Sequence, residues 1–176
     1  MNWKKISTKT MYENAWIKVL EDQVINPNGK ENKYGHIQFK KIAVGIVPLD
    51  NSGNTWLVGQ DRYTLDEYSW EIPMGGSEKN ESLVSTAHRE LAEETGIKAN
   101  SMEKLMEIHT SNSLTNEIGH VFIAKDLNEG VPNFDDTEKL KIQKLPISEV
   151  VTMILHGDIT DAITIAAILR VHLDLI

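Results

Sequence analysis

Three glutamates crowd the end of one predicted helix. The sequence predicts a helix from about Ser82 to Thr95, because a serine hydroxyl can cap the first turn and the following Gly96 can adopt the left-handed conformation that closes the last. The last two turns carry Glu90, Glu93 and Glu94. A helix C-terminus is partly negative and favours basic side chains by about 0.3–1 kcal/mol each, and like charges four residues apart add a similar penalty. The cluster therefore needs a counter-charge.

A divalent cation is the simplest counter-charge. Arg89 precedes Glu93 by four residues and can neutralise that acid, whereas Glu90 and Glu94 are predicted to lack a local partner. Mg²⁺ and Mn²⁺ prefer oxygen ligands and keep waters that substrate phosphates can replace. The alternative is a solvated acidic face, since glutamates are mostly exposed.

The helix is predicted to bury one apolar stripe. At about 100° per residue, one side of the helix groups four apolar residues. These are Leu83, Val84, Ala87 and Leu91. Glu90 and Glu94 follow at the edge of this stripe, so the helix is expected to carry both acids beside the core.

The glutamates also belong to a longer pattern of fixed spacing. The pattern consists of Gly75, Glu81, Arg89-Glu90, Leu91, Glu93-Glu94, Gly96 and Ile97. It resembles the Nudix box at every fixed position, and chance agreement is on the order of 10⁻⁹ per start position. The resemblance implies a loop–helix–loop that holds Mg²⁺ or Mn²⁺ against a pyrophosphate, in enzymes that hydrolyse nucleoside diphosphates linked to another group.

The same resemblance implies a role for each acid. Glu90 and Glu94 correspond to metal ligands, and Glu93 to a ligand or catalytic orienting group. Arg89 would fix one of the glutamates, and the carbonyl of Met74 is a further candidate ligand.

A second acidic segment follows in the polar loop from 130 to 140. In the subgroup that acts on ADP-ribose and nucleotide sugars, a mobile acidic loop at this point supplies the general base that activates water. The resemblance implies Asp136 or Glu138 for that role. A solvated acidic loop is the alternative.

Substrate-binding candidates come from the same subgroup resemblance. Arg62 lies before the loop that leads to residues 70–73, whose Trp-Glu-Ile-Pro run resembles that subgroup. Arg62 could hold a phosphate or ribose through its forked donors, and Glu71 is a second candidate. Trp16 is a candidate for stacking on a nucleotide base. The alternatives are a surface arginine and a core or dimer-interface tryptophan.

The resemblance implies a nucleoside diphosphate sugar or ADP-ribose as the substrate. Dedicated ADP-ribose hydrolases usually carry a proline shortly after the box, whereas this chain has Asn112-Ser113 there and no proline between Pro73 and Pro132. A substrate such as GDP-mannose therefore stands beside ADP-ribose, and the products would be a nucleoside monophosphate and a sugar phosphate. A non-catalytic Nudix sensor and a Nudix enzyme for another nucleotide remain as alternatives.

Composition limits the partners. The chain has 176 residues, a formal net charge of −8 and no cysteine. The acidic balance argues against a polymeric nucleic acid as partner, because its phosphates call for a basic patch. No apolar run approaches the about 18 residues of a membrane span, and no secretory leader is visible. A cytoplasmic protein with no membrane partner is expected.

The surrounding elements predict an α/β Nudix fold. Residues 1–40 alternate as a β extension with a turn at 26–29, and a lone hairpin is marginal in water, so it must pack on the main body or on another subunit. The resemblance to the ADP-ribose and nucleotide-sugar subgroup favours the second and implies a homodimer. Residues 41–176 form the Nudix domain, with a mixed sheet sandwiched between helices. Ala43 to Leu49 and Trp56 to Gln60 are predicted antiparallel neighbours. Two C-terminal helices are predicted at Ile147 to Leu155 and at Asp158 to Leu173, the second capped by Asp158 or Thr160.

Overall fold

A computed structural model describes residues 2–133 and 140–175 of the chain. The chain divides into two compact units, Met1–Ile42 with His109–Ile118, and Ala43–Ile108 with Gly119–Ile176. The strands are β1 (Lys4–Glu13), β2 (Ile17–Ile25), β3 (Glu31–Phe39), β4 (Ala43–Pro48), β5 (Asn54–Arg62), β6 (Glu67–Glu71), β7 (Met74–Gly76), β8 (Lys98–His109), β9 (Ile118–Asn128) and β10 (Lys141–Pro146). The helices are α1 (Leu83–Thr95), α2 (Ile147–His156) and α3 (Ala162–Leu175).

The first unit is built on an antiparallel sheet in the order β1-β2-β3. The turn between β2 and β3 is confirmed: Gly29 has a φ of 81° and its N–H donates to the carbonyl of Asn26 at 2.9 Å. β1 adds a strand to the predicted hairpin. Its side chains are all exposed, so no alternation of buried residues marks it in the sequence.

The second unit contains a mixed sheet in the order β7-β4-β9-β8. β4 runs parallel to β9 and antiparallel to β7. Val44 and Ile46 of β4 pack in one apolar cluster with Ala87 and Leu91 of α1. A second cluster joins Val47 to buried residues of α2 and α3. The predicted mixed sheet between helices is confirmed.

The predicted pairing of β4 with β5 is wrong. β5 lies in a separate antiparallel sheet in the order β10-β5-β6. Its neighbour on one side is β10, which lies far along the chain and pairs from Lys141 opposite Gly59 to Pro146 opposite Asn54. Alternation along one segment predicts a strand but carries no information about a partner so distant in sequence.

The predicted ends of α1 are confirmed, but one predicted buried residue is not. The hydroxyl of Ser82 accepts a hydrogen bond from the N–H of Ser85 at 3.1 Å, and Gly96 has a φ of 74°. Val84, however, is 44% exposed, whereas Thr86 is buried. The buried side of the helix is thus rotated from the predicted stripe toward the acids.

The start of α3 also differs from the prediction. Asp161 caps this helix by accepting a hydrogen bond from the N–H of Thr164 at 2.7 Å, so the predicted caps Asp158 and Thr160 are wrong. Neither of them directly precedes the first helical residue, Ala162, which is the position of a capping residue. Within the described residues, no helix is both long and apolar enough to cross a membrane.

Candidate active site

α1 carries its acids against the short strand β7. That strand is fixed by β4, with Gly75 opposite Val44 and Met74 opposite Gly45. Because α1 packs over β4 through the cluster of Ala87 and Leu91, the acidic turns of the helix lie beside the β7 backbone. Glu90 is 9% exposed and Glu94 only 2% exposed. These two carboxylates are therefore held inside the protein, away from bulk water.

The backbone of β7 contacts both buried acids. The N–H of Met74 donates a hydrogen bond to Oε2 of Glu94 at 2.9 Å. At Gly75, a Cβ would lie only 2.1–2.2 Å from the carboxylate atoms of Glu90. A larger residue there would force the Glu90 carboxylate to move, because this carboxylate occupies the space of a side chain. Two glutamates thus lie against two consecutive backbone residues, Glu94 against Met74 and Glu90 against Gly75.

Arg89 joins the remaining acids into one cluster. Its guanidinium donates to the two carboxylate oxygens of Glu81 at 3.0 and 3.1 Å, to Glu93 at 2.9 Å and to the carbonyl of Gly76 at 3.1 Å. Nη1 of Arg89 also lies 2.8 Å from Oε1 of Glu90. The predicted contact between Arg89 and Glu93 is confirmed. A planar guanidinium can satisfy several carboxylates together because its donors form a rigid fork.

The prediction that Glu90 and Glu94 lack a local partner is wrong. Glu90 pairs with the guanidinium of its neighbour Arg89, and Glu94 accepts from the Met74 backbone. In the part of this cluster around α1, one guanidinium contacts three carboxylates. The helix itself has no basic residue in its last turn.

The pairing shifts the ionisation of both partners. Hydrogen bonds from Arg89 and from the backbone N–H of Glu78 lower the pKa of Glu81 to about 2. The acceptors of Glu81 and the nearby charge of Glu90 raise the pKa of Arg89 further above its usual value. All of these interactions favour the charged forms at neutral pH.

The residues of the site fit a divalent cation. Among residues 2–133 and 140–175, no three acidic or histidine side chains are already arranged to hold an ion together. Mg²⁺ is usually bound by one or two carboxylates, with waters and substrate phosphates supplying the other oxygens. Glu90 and Glu94 offer that number of buried oxygen ligands, on one helix face and beside the backbone of Met74 and Gly75.

The two substrate-binding candidates in this unit bind each other. Arg62 donates through Nε to Oε1 of Glu71 at 2.8 Å and through Nη2 to Oε2. Glu71 is almost fully buried. This pair raises the pKa of Arg62, with smaller contributions from the charges of Asp161 and Glu94. Arg62 is therefore within electrostatic range of the buried acids.

Trp16, Asp136 and Glu138 complete the predicted site residues. Trp16 belongs to the first unit and is 65% exposed. Its backbone N–H donates to Oδ1 of Asn14 at 2.8 Å. A cavity of about 430 Å³ in that unit is lined by other residues, namely Trp3, Lys5, Asp22, Val24, Tyr34, His36 and Asn112. Asp136 and Glu138 fall outside the described residues.

Thr164 of α3 and Asp161, which directly precedes this helix, are absent from the predictions. Asp161 influences Arg62, and the buried hydroxyl of Thr164 accepts a hydrogen bond from the N–H of Ile72 at 3.0 Å. A threonine among the apolar residues of a core helix is the one sequence signal for such a contact. It does not reveal which backbone group the hydroxyl binds, because that group is distant in the chain.

Comparison with known proteins places this arrangement in a family. The NUDIX domain model matches residues 39–166, and the model of the nucleoside diphosphate sugar hydrolase N-terminal domain matches residues 3–37. A methanol dehydrogenase activator of Bacillus methanolicus is 32% identical, covering 94% of this chain and 90% of the relative. An ADP-ribose pyrophosphatase of Mycobacterium tuberculosis is 32% identical, covering 97% and 84%. Another from Bacillus subtilis is 30% identical, covering 94% and 90%.

A solved structure agrees on the fold. The crystal structure of an ADP compounds hydrolase superposes with a TM-score of 0.88 at 22% identity, covering 99% of this chain and 95% of that one. The box helix, the mixed sheet and the β extension therefore form a known architecture. The chain belongs to the Nudix family of hydrolases, as a pyrophosphohydrolase that carries the nucleoside diphosphate sugar hydrolase N-terminal domain.

Proposed function

We propose that this chain hydrolyses the pyrophosphate of ADP-ribose or a related nucleoside diphosphate sugar, with Mg²⁺ or Mn²⁺ as cofactor. The products are a nucleoside monophosphate and a sugar phosphate. The observation that carries the proposal is the pair of buried carboxylates, Glu90 and Glu94, against the backbone of Met74 and Gly75. A buried acidic pair of this kind suits a cation that in turn binds phosphate oxygens.

Each residue of the cluster has a task in this mechanism. Glu90 and Glu94 would hold the ion, together with the carbonyl of Met74, and Arg89 keeps the carboxylates of Glu90 and Glu93 in place. A divalent ion bound there supplies charge neutralisation at the phosphates and a lower pKa for a coordinated water. Glu93 would act as a further ligand or as a catalytic orienting group.

Two further groups act on the substrate. Arg62, oriented by Glu71, binds a phosphate or ribose oxygen through donors that face away from that carboxylate. Asp136 or Glu138 takes the proton of the attacking water, a role typically worth about 10²–10⁴-fold in rate. Trp16, whose ring is exposed, is the candidate for stacking on the base.

The relatives favour ADP-ribose as the first substrate to test. Two of them, each matched over more than nine-tenths of this chain, are named ADP-ribose pyrophosphatase. Because the chain lacks the proline that dedicated ADP-ribose hydrolases usually carry after the box, GDP-mannose is tested as well. Incubation of the protein with Mg²⁺ and ADP-ribose, GDP-mannose, UDP-glucose, a dinucleotide or a nucleoside triphosphate, followed by product analysis, tests this choice. A nucleoside monophosphate with a sugar phosphate is expected, whereas turnover of the triphosphate alone would contradict the proposal.

A second copy of this chain is the proposed partner of the β extension. All ten residues of β1 are exposed, including Ile6, Met11 and Tyr12. Apolar side chains along an outer strand favour association, because both their surface and the free strand edge can be covered by another chain. We therefore assign homodimerisation to residues 1–40 and hydrolysis to residues 41–176.

Regulation of a partner enzyme is the second candidate function. One relative, 32% identical over nearly its full length, is named a methanol dehydrogenase activator. A regulator that binds its nucleotide without cleaving it would return the nucleotide intact after incubation with Mg²⁺. Recovery of intact ADP-ribose from a tight complex would favour this function over hydrolysis.

A further inference from the structure

The chain crosses between the two sheets of the second unit at Ile72 and Pro73. β6 ends at Glu71 in one sheet, and β7 begins at Met74 in the other. The two residues between them belong to neither ladder. Ile72 is fully buried, so its N–H needs a partner inside the protein, and Pro73 has no N–H to offer.

α3 supplies the missing partner. The hydroxyl of Thr164 accepts a hydrogen bond from the N–H of Ile72 at 3.0 Å, and Thr164 is itself fully buried. Its own N–H is bound by the capping carboxylate of Asp161 at 2.7 Å. On the other side, the carbonyl of Pro73 accepts from the N–H of Ile46 at 2.8 Å. The crossing is thus fixed at two consecutive residues by two different elements.

The backbone directly after the crossing is the one that holds the acids. Met74, two residues after Ile72, donates its N–H to Glu94, and Gly75 lies against Glu90. A shift of Ile72 is transmitted to Met74 because Pro73 is rigid in φ. We infer that Thr164 is a positioning residue, which sets the orientation of Glu94 through the backbone from Ile72 to Met74. The consequence for metal binding rests on the proposed function.

If Thr164 only filled space, loss of its hydroxyl would not affect Glu94. Valine has nearly the shape of threonine, so Thr164→Val keeps the side-chain volume and removes the acceptor of the Ile72 N–H. Thr55 is the matched control: it is also fully buried, and its hydroxyl has no hydrogen-bond partner in the described residues. Thr55→Val therefore changes the same atoms without removing a contact to the backbone.

The exchange rate of the Met74 amide proton, measured by NMR, tests the positioning directly. In Thr164→Val we expect this amide to exchange at least about tenfold faster relative to amides of β5 that pair with β10, because its acceptor is misplaced. The Mn²⁺ concentration for half-maximal hydrolysis should rise about tenfold, as for other residues that orient metal ligands, with a smaller change in kcat at saturating Mn²⁺. Thr164→Ser keeps the hydroxyl, so its Met74 exchange rate and its Mn²⁺ requirement should equal those of the wild type. Thr55→Val should alter neither value.

Two results would overturn the inference. One is a Met74 amide that changes no more than the β5 amides, and the other is an unchanged Mn²⁺ requirement in an active Thr164→Val enzyme. If this variant does not fold, Thr164→Cys, which has a similar shape and a weak acceptor, gives the same comparison. If the wild-type protein hydrolyses no substrate, the proposed function fails, and the exchange of the Met74 amide still decides whether Thr164 positions this backbone.

Discussion

At the scale of single residues, Arg89 and Gly75 organise the site. Arg89 contacts the carboxylates of Glu81, Glu90 and Glu93, and Gly75 leaves room for one of them. The sequence predicted the contact from Arg89 to Glu93, because residues four apart on a helix are neighbours. It could not predict Glu81, which precedes α1 and reaches Arg89 only because the loop after β7 folds back on the helix.

Replacing Gly75 by alanine should strongly reduce activity. The added Cβ would overlap the carboxylate of Glu90 at 2.1–2.2 Å, so this acid must move. Displacement of a catalytic group by about 1 Å can cost about 10²-fold in rate, and we expect a loss in kcat/KM of at least that size. Steady-state hydrolysis at saturating Mg²⁺ measures it.

Gly35→Ala is the control for this substitution. Gly35 lies in β3, and a Cβ there would meet nothing within 4 Å. Its activity should equal that of the wild type. Full activity of Gly75→Ala would show that the position of Glu90 does not matter for turnover.

The ion pair of Glu81 and Arg89 should stabilise the fold down to acidic pH. The pKa of Glu81 is about 2 in the folded chain, below its ordinary value of 4.5. A lowered pKa contributes stability that is fully present above the unfolded pKa and is lost as the pH falls from about 4.5 through about 2. The difference in unfolding free energy between wild type and Glu81→Gln should therefore shrink over that window.

Urea unfolding of both proteins at a series of pH values measures this difference. The Arg89 guanidinium stays charged throughout, so the pair is lost only through protonation of Glu81. A difference that is constant between pH 6 and pH 2 would contradict the assigned pairing.

At the scale of elements, local signals determined which segments could be predicted. The ends of α1 follow from Ser82 and Gly96, and the β2–β3 turn follows from 26–29, because capping and turn residues act on their immediate neighbours. The partner of β5 and the strand β1 could not be predicted in this way. Pairing depends on a distant strand, and an exposed strand has no buried alternation.

Removal of the α1 cap should destabilise the protein modestly. Ser82→Ala deletes the acceptor for the Ser85 N–H and should lower the unfolding free energy by about 1 kcal/mol. Ser82→Asp, which keeps a capping oxygen at a helix N-terminus, should retain the stability. Urea denaturation of the three proteins provides the comparison, and equal midpoints for alanine and serine would show that the cap contributes nothing.

At the scale of the whole molecule, the sequence predicted the family and the layered fold because one motif is specific over many positions. The match of the NUDIX domain to residues 39–166 and the superposition on a hydrolase of ADP compounds confirm both. The assembly is a separate question. We propose that it depends on surfaces such as β1, whose residues are all exposed.

The exposed strand β1 leads to a prediction about assembly. The protein should sediment as a dimer, and Met11→Glu in β1 should shift it toward monomer, since a buried charge at an interface is costly. Leu155→Glu, at an exposed apolar residue of α2, is the control and should leave the dimer intact. A wild-type monomer at micromolar concentration in analytical ultracentrifugation would refute the assignment of residues 1–40 to dimerisation.

Turnover by Glu94→Gln tests the central claim most directly. Glutamine can still accept the hydrogen bond from Met74, so the fold and its unfolding midpoint should be retained, but the charge that would hold a divalent cation is lost. We predict no detectable hydrolysis of ADP-ribose or GDP-mannose at saturating Mg²⁺, with full activity in the control Glu149→Gln on the exposed side of α2. Wild-type turnover by folded Glu94→Gln would contradict the role of the buried carboxylates.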